Sequence, residues 1–481
     1  MDCRPVILLS AAPLRQPAGG DNCACPDSYY QQNEPARSPI TAEGKYLSAQ
    51  STYSFPLDAQ YTLFYDTDQT GNIAVLNQAA VEVLRTYRQP RSMHGDKTAA
   101  ALAEAGLLRP AADCAQRSPN RPVDLVAWIQ LTNACNLACG YCFQPKDARK
   151  MTETTGKRAL DALFRSASAH GLRQVTLKYA GGEPSLHLPL LRKMQEYARS
   201  LAEESGIDLR ASILSNGVLL DAPKLLALRA LDVHVMISLD GPGAHERQRP
   251  MLNGKGSFAS AARAVDTAVR LGMQPCISIT VTRENAASLA EMVHYCLDQD
   301  LSFTFNLVRE SDPIAGAYAA ESALLIAGLR DALHAVAQRL PRERVIDRLF
   351  DLAAFHHHDL PCGAGYNYLV VDTEGRIARC QMEMYQPCGD IFHGDPLTAI
   401  QTALSSHPNL PVDQREGCRE CPWRYACAGG CALQTYRAYG RADVRSPNCE
   451  VYQAIYPELL RIEGLRMLRS ESARSDPPSR L

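Results

Sequence analysis

The stretch Asp124-Leu-Val-Ala-Trp-Ile-Gln-Leu-Thr-Asn-Ala-Cys135-Asn-Leu-Ala-Cys139-Gly-Tyr-Cys142 decides the fold. Leu125 to Leu131 is an apolar run of strand length, and three cysteines follow it in one loop. Downstream, Val175–Tyr179, Ala211–Leu214, Val233–Leu239, Cys276–Thr282 and Phe303–Val308 also read as strands. Amphipathic stretches such as Thr155–Ala169 and Phe258–Leu271 separate them and read as helices. Repeated βα units imply an α/β fold with a parallel sheet, open or closed into a barrel. Groups that do chemistry then gather at the C-terminal ends of the strands. The three-cysteine loop sits at such an end. Three thiolates hold three irons of a cubane and leave the fourth open to an outside ligand.

On the N-terminal side, residues 1–45 are rich in Pro, Gly, Ala and polar types without a period, and read as disordered. Cys3, Cys23 and Cys25 lie there as incidental residues. Residues 46–110 form a small unit. Tyr61–Tyr65 and Asn72–Leu76 read as strands joined by a turn at 68–71, and Ala79–Tyr87 and Lys97–Leu108 as helices. A linker from Pro110 to Pro122 precedes the alternating domain, residues 124–345. In residues 360–455, short segments rich in Cys, Gly and Pro replace the alternation, so this region has little core of its own and relies on metal centres. The polar segment 469–481 reads as a flexible tail. His356, His357 and His358 read as a solvated helix end.

Of 481 residues, 46% are hydrophobic and 21% charged, ordinary for a globular protein. A net charge of −2 supplies no field for nucleic acid or an anionic membrane surface. No apolar run is long enough to span a bilayer, and Val6–Ala12 lacks the basic flank of an export signal. Seventeen cysteines, mostly at metal-ligand spacings, therefore point to cluster ligation in a reducing cytoplasm. Cys114, Cys276 and Cys296 fall outside those spacings, and the latter two read as packed core residues.

Cys135-x3-Cys139-x2-Cys142 after the first strand resembles the signature of the radical S-adenosylmethionine (SAM) superfamily. Gly181-Gly182-Glu183-Pro184, Ser215-Asn216-Gly217, Ser238-Leu239-Asp240-Gly241 and His245-Glu246-Arg247-Gln248-Arg249 stand at or just after later strand ends, in the family's order. The resemblance implies a partial (β/α)6 barrel. Cys135, Cys139 and Cys142 would hold a [4Fe-4S] cluster whose open iron binds SAM, and the cleaved cofactor would supply a 5′-deoxyadenosyl radical. The turn at Gly181, Gly182 and Glu183 would receive the SAM amino group. Ser215 and Asn216 would line the site, Ser238 would contact the ribose or carboxylate, and Arg249 would pair with the carboxylate. Tyr141 and Phe143 would pack near the adenine.

The C-terminal spacing resembles the SPASM extension of that superfamily: Cys362, Cys380, Cys418-x2-Cys421-x5-Cys427-x3-Cys431 and Cys449. By that resemblance Cys418, Cys421, Cys427 and Cys449 hold one auxiliary [4Fe-4S] cluster, and Cys362, Cys380 and Cys431 a second. The latter lacks a fourth ligand, left to Cys388 or to a substrate thiolate. SPASM enzymes act mostly on peptides. Gln381 follows Cys380 where sulfatase maturases carry an Asp base, and about 120 residues precede the cluster loop. Both departures weigh against a formylglycine-generating enzyme and favour a maturase of ribosomally made peptides. Its N-terminal unit would be a winged-helix-like domain binding the leader of a precursor peptide, with a low-potential flavodoxin or ferredoxin as reductant. A non-catalytic electron carrier needs neither the Gly-Gly-Glu-Pro turn nor Arg249.

Overall fold

The computed structural model describes residues 5–10, 44–49, 51–67, 71–111, 123–309, 317–351, 353–405 and 407–475. Strands β1 (Ile7–Ser10), β3 (Thr52–Pro56), β4 (Tyr61–Asp66) and β5 (Ile73–Asn77) form an antiparallel sheet in the order β1-β5-β4-β3. β2 (Lys45–Ser48), β6 (Arg91–Ser92) and β7 (Leu108–Pro110) form a second, in the order β6-β2-β7. The period of two decides how the first sheet packs. Leu63, Tyr65, Ile73 and Val75 face the main core, whereas Ala74 and Leu76 face helices α1 (Gln78–Thr86) and α2 (Lys97–Glu104). Asn77 caps α1 by accepting from the amide of Ala80, and Asp96 caps α2.

Two readings change here. Residues 7–10, assigned to a disordered segment, are a strand, because Ile7 and Leu8 complete the edge of β5. The helix read as Lys97–Leu108 stops at Glu104, and the chain turns at Gly106 so that Leu108 enters β7. Cys3, Cys23, Cys25, Cys114 and most of the turn at 68–71 and of the linker lie outside the described residues.

β8 (Asp124–Thr132), β9 (Gln174–Gly181), β10 (Asp208–Ser215), β11 (His234–Ser238), β12 (Cys276–Val281) and β13 (Phe303–Leu307) are parallel neighbours in sequence order. Helices α3 (Glu153–Ala169), α4 (Leu188–Ser205), α5 (Ala222–Ala230), α6 (Pro242–Gln248), α7 (Phe258–Arg270) and α8 (Leu289–Asp298) connect them. Leu125, Ala127, Ile129 and Leu131 on β8 and Val175, Leu177 and Tyr179 on β9 join the helix-covered core. The opposite face is more polar: Gln130, Thr176, Lys178 and Ser212 are buried there. Cys276 and Cys296 are buried.

The sheet does not close on itself. The free edge of β8 is taken by β14 (Tyr368–Val371), followed by β15 (Arg376–Ala378) and β16 (Gly389–Asp390), giving nine strands with β13 and β16 at the ends. The cysteine-rich region therefore shares the central sheet rather than standing on metal alone. Its apolar contribution, Tyr368-Leu-Val-Val371, is short and hidden among cysteines in the sequence. Asn367 fixes the junction: its Nδ2 donates to the Asp124 carbonyl and carboxylate, each at 3.1 Å, and its own carbonyl accepts from Val126 at 2.9 Å. A final helix, Cys449–Ser475, packs against β1, β4 and β5. It runs past Arg469, where the flexible tail was expected to begin, and Arg469 donates to the carbonyl of Pro341 at 2.8 Å. His358 is fully buried and His357 lies 3.9 Å from the Tyr425 ring, so the histidine run is interior, not solvated.

Asn367→Ala removes both side-chain bonds at a buried junction. We expect a loss of about 1–3 kcal/mol in denaturant unfolding.

Candidate active site

The cluster loop is fastened on both sides. At its start, Gln130 Nε2 donates to Asn133 Oδ1 at 3.1 Å and Asn133 Nδ2 to Asp147 Oδ1 at 3.0 Å. Further along, the amides of Ala138 and Gly140 donate to the carbonyls of Pro250 and Gln248. Cys135 has Cys142 as a charge neighbour, and Cys139 has both Cys142 and Cys135. Burial pushes the Cys135 thiol up to about 11 and Cys139 up to about 12. Without metal these thiols stay protonated at neutral pH, so binding iron must expel protons. Among the described residues no three His, Cys, Asp or Glu close on a single metal ion. Three thiols from one loop suit a cubane, where each thiolate takes a separate iron.

The Gly181-Gly182-Glu183 turn lies directly on this loop. A Cβ at Gly181 would sit 2.3 Å from the Thr132 carbonyl oxygen, and one at Gly182 2.5 Å from that of Ala134. Only glycine permits this approach, and it lets the amides of Gly182 and Glu183 donate to Thr132 and Ala134. Glu183 is buried. It accepts from Ser215 Oγ at 2.7 Å, the Ser185 amide at 3.0 Å and the Asn216 amide at 2.7 Å. Burial pushes its carboxyl above the usual range, while those bonds pull the other way. Its carboxylate thus braces the ends of β9 and β10. Asn216 continues the brace, with Nδ2 2.8 Å from Asn136 Oδ1 and 3.9 Å from Cys135 Sγ.

Arg249 is likewise held by the chain itself. Its guanidinium pairs with Asp240, Nε to Oδ2 at 2.6 Å, and reaches Thr280 Oγ1 at 3.1 Å. It lies 5.3 Å from the Tyr141 ring, whose hydroxyl donates to Asp240 at 2.8 Å. The carboxylate that satisfies this buried cation is thus the chain's own. Asp240 stood in the quoted Ser-Leu-Asp-Gly motif, but nothing in the spacing singled it out. Ser238 ends β11 opposite Ser278 of β12, and Phe143 packs with Val126, Trp128 and Tyr368 at the β8–β14 junction. His245 is buried, with Nδ1 accepting from the Asp240 amide at 3.2 Å and Nε2 3.0 Å from Ser257 Oγ. Burial lowers its pKa from 6.5 to about 4, so it is neutral at pH 7. Tyr318 was missed by sequence: its ring stands edge-on to Tyr141 at 5.7 Å, and its hydroxyl lies over Gly140.

Residues 129–296, which hold the cluster loop, the glycine turn and the Arg249 network, match the family model described as the radical SAM superfamily. This chain carries a radical SAM domain and is an enzyme. The superfamily implies SAM and a [4Fe-4S] cluster, and the domain's thiols fit the latter as described. The chain is similar to the PqqA peptide cyclase of Gluconobacter oxydans, 26% identical over 353 residues, or 69% of this chain and 92% of the relative. It is also similar to the mycofactocin maturase MftC of Mycolicibacterium smegmatis, 26% identical over 359 residues, or 69% and 84%. In fold, it resembles a solved structure of anSMEcpe with bound AdoMet and Cp18Cys peptide (TM-score 0.60, 19% identity, 73% of this chain and 99% of that one). No helix among the described residues is long and apolar enough to cross a membrane.

Beyond the radical SAM domain, seven cysteines fall into two sets. Cys362 has Cys431 as a charge neighbour, and Cys380 has Cys431 and Cys362. Cys427 has Cys418, Cys421 and Cys449. Cys388 stands apart, with Arg379 and Glu383 as its charge neighbours and its thiol on the Ile377 carbonyl. Gln381 accepts from the Tyr368 hydroxyl at 2.8 Å, and the nearby carboxylate of Glu383 pairs with His407 at 2.6 Å. A cavity of about 260 Å³ opens between the ends of β12 and β13, residues Ala319–Leu325 and the helix after Cys431.

Two outcomes are expected. A Cβ at Gly140 would lie 2.0 Å from the Tyr318 hydroxyl, so Gly140→Ala and Tyr318→Ala should be non-additive in unfolding free energy, by about 0.5–3 kcal/mol. Between pH 6.5 and 4 the unfolded chain binds the proton that buried His245 refuses, so stability falls as pH drops. The wild type should lose up to about 3 kcal/mol over that range that His245→Gln does not lose, measured by urea unfolding at each pH.

Proposed function

We propose that this radical SAM enzyme is a maturase that oxidatively crosslinks a ribosomally synthesised precursor peptide, using two auxiliary [4Fe-4S] clusters. The sorting of the seven C-terminal cysteines into Cys362/Cys380/Cys431 and Cys418/Cys421/Cys427/Cys449 carries this reading. Relatives named for peptide cyclisation and maturation support it. When bound, SAM and its cluster supply a radical that removes one hydrogen atom, and an auxiliary cluster supplies the one-electron sink that completes a two-electron oxidation.

The chain's own residues bind and orient. Gly181, Gly182, Ser215, Asn216 and Ser238 line the SAM site, with Tyr141 and Phe143 beside it. Asp240 holds Arg249 and Tyr141 in place, since a paired cation keeps its position better than a free one. The cavity beyond β12 and β13 offers the peptide both apolar walls, Leu307 and Leu325, and amide groups, Gln434 and Asn448. With Cys388 turned away, the fourth position of the first set is left to the substrate or a small ligand. A formylglycine reaction lacks its expected acid–base group, because Gln381 cannot take a proton. The N-terminal unit is the leader-recognition domain in this reading. Among the described residues β3 ends its sheet and offers an edge for strand addition. A low-potential flavodoxin or ferredoxin would deliver the electrons.

The test is mass spectrometry of peptides encoded beside the gene after anaerobic co-expression. Each modified peptide should lose two hydrogens, and Cys362→Ala should abolish that loss while SAM cleavage persists. Full crosslinking by Cys362→Ala would remove the auxiliary cluster from the reaction.

A further inference from the structure

Arg415 is among the largest fully buried side chains in the protein, 1% exposed. Among the described residues no carboxylate pairs with it. Its guanidinium is held instead by backbone. Nη1 donates to the carbonyls of Gly429 and Gly430 at 3.2 and 3.1 Å, and Nε to that of Leu410 at 3.2 Å. Gly429 and Gly430 lie between Cys427 of one set and Cys431 of the other. Nη2 reaches Asn409 Oδ1 at 3.4 Å, and Asn409 Nδ2 in turn lies 3.5 Å from Cys362 Sγ. On the other side, the Arg415 carbonyl accepts from the Cys418 amide at 3.2 Å. Burial pulls the Arg415 pKa below its usual value, and the side chains whose negative charge would oppose that pull are Cys418, Cys362, Cys431 and Cys427, drawn from both sets.

A buried guanidinium cannot shed its proton, and an uncompensated buried charge is strongly destabilising. The chain places this cation where neutral thiols could not balance it. Negative charge must therefore come from thiolates and the clusters they hold. A fixed positive charge beside a cluster favours its reduced, more negative form.

We propose that Arg415 is the shared counter-ion of the two auxiliary clusters, raising the reduction potential of both so that the single electron given up by the peptide radical is accepted more readily. This rests on the assignment of the two cysteine sets above. Asn409 passes the effect on to the first set alone, through Cys362. Arg415 is thus a tuning residue that never touches substrate.

The experiment is potentiometric titration of the reconstituted full-length protein, followed by electron paramagnetic resonance, with iron counted per chain. Arg415→Met should move both auxiliary midpoints to more negative potential and leave the SAM-binding cluster unmoved. Arg415→Lys should restore most of the shift. Asn409→Ala, which leaves the guanidinium in place, should move only the Cys362/Cys380/Cys431 cluster, and it serves as the probe if Arg415→Met does not fold. Auxiliary clusters present at full iron content with midpoints unchanged in Asn409→Ala and in whichever Arg415 variants fold would overturn the counter-ion role. Iron sufficient for one cluster only in the wild type would overturn the two-set assignment instead.

Discussion

Strand β8 is hydrogen-bonded along both edges, and much of the functional geometry follows from that. On one edge it pairs with β9, which delivers the Gly181–Glu183 turn to the cluster loop. On the other it pairs with β14, which brings in the region of Cys362 and Cys380. A parallel strand buried on both faces leaves no slack in register. The loop carrying Cys135, Cys139 and Cys142, rising from the end of β8, is therefore fixed relative to both neighbours at once. In a closed barrel the second edge would have been consumed by the last strand.

Buried charge is the second recurrent feature. Glu183, the Asp240–Arg249 pair and Arg415 are all withdrawn from water, and each is met by a different device. Glu183 is satisfied by two amides and a hydroxyl, Arg249 by a carboxylate and a hydroxyl, and Arg415 by backbone carbonyls and an amide oxygen. In a medium of low dielectric such contacts are costly to break. They hold the ends of β9 to β12 and the two cysteine sets in place. The helix Cys449–Ser475 extends this rigidity to the N-terminal unit: it begins at Cys449 and packs along β1, β4 and β5.

The chain's periodicity and spacing made much legible. The six parallel strands lie where apolar runs stand, within a few residues at each end, because a strand covered on both faces needs such a run. The glycine turn was legible because only glycine permits the backbone approach found at positions 181 and 182.

What the sequence could not decide lies where partners are distant along the chain. That Asp240, nine residues earlier, pairs with Arg249 across the turn was not legible from the motif. Arg415 had no motif, and its meaning comes from lying among cysteines of both sets, including Cys362, more than fifty residues away in sequence. Tyr318 over Gly140 and β14 on the edge of β8 likewise join segments far apart in sequence. Local propensity and periodicity act over one element and so determined the elements and the cluster loop. Which charges neutralise one another, and whether the sheet closes, depend on contacts formed only when those elements pack, and these the tertiary structure alone decided.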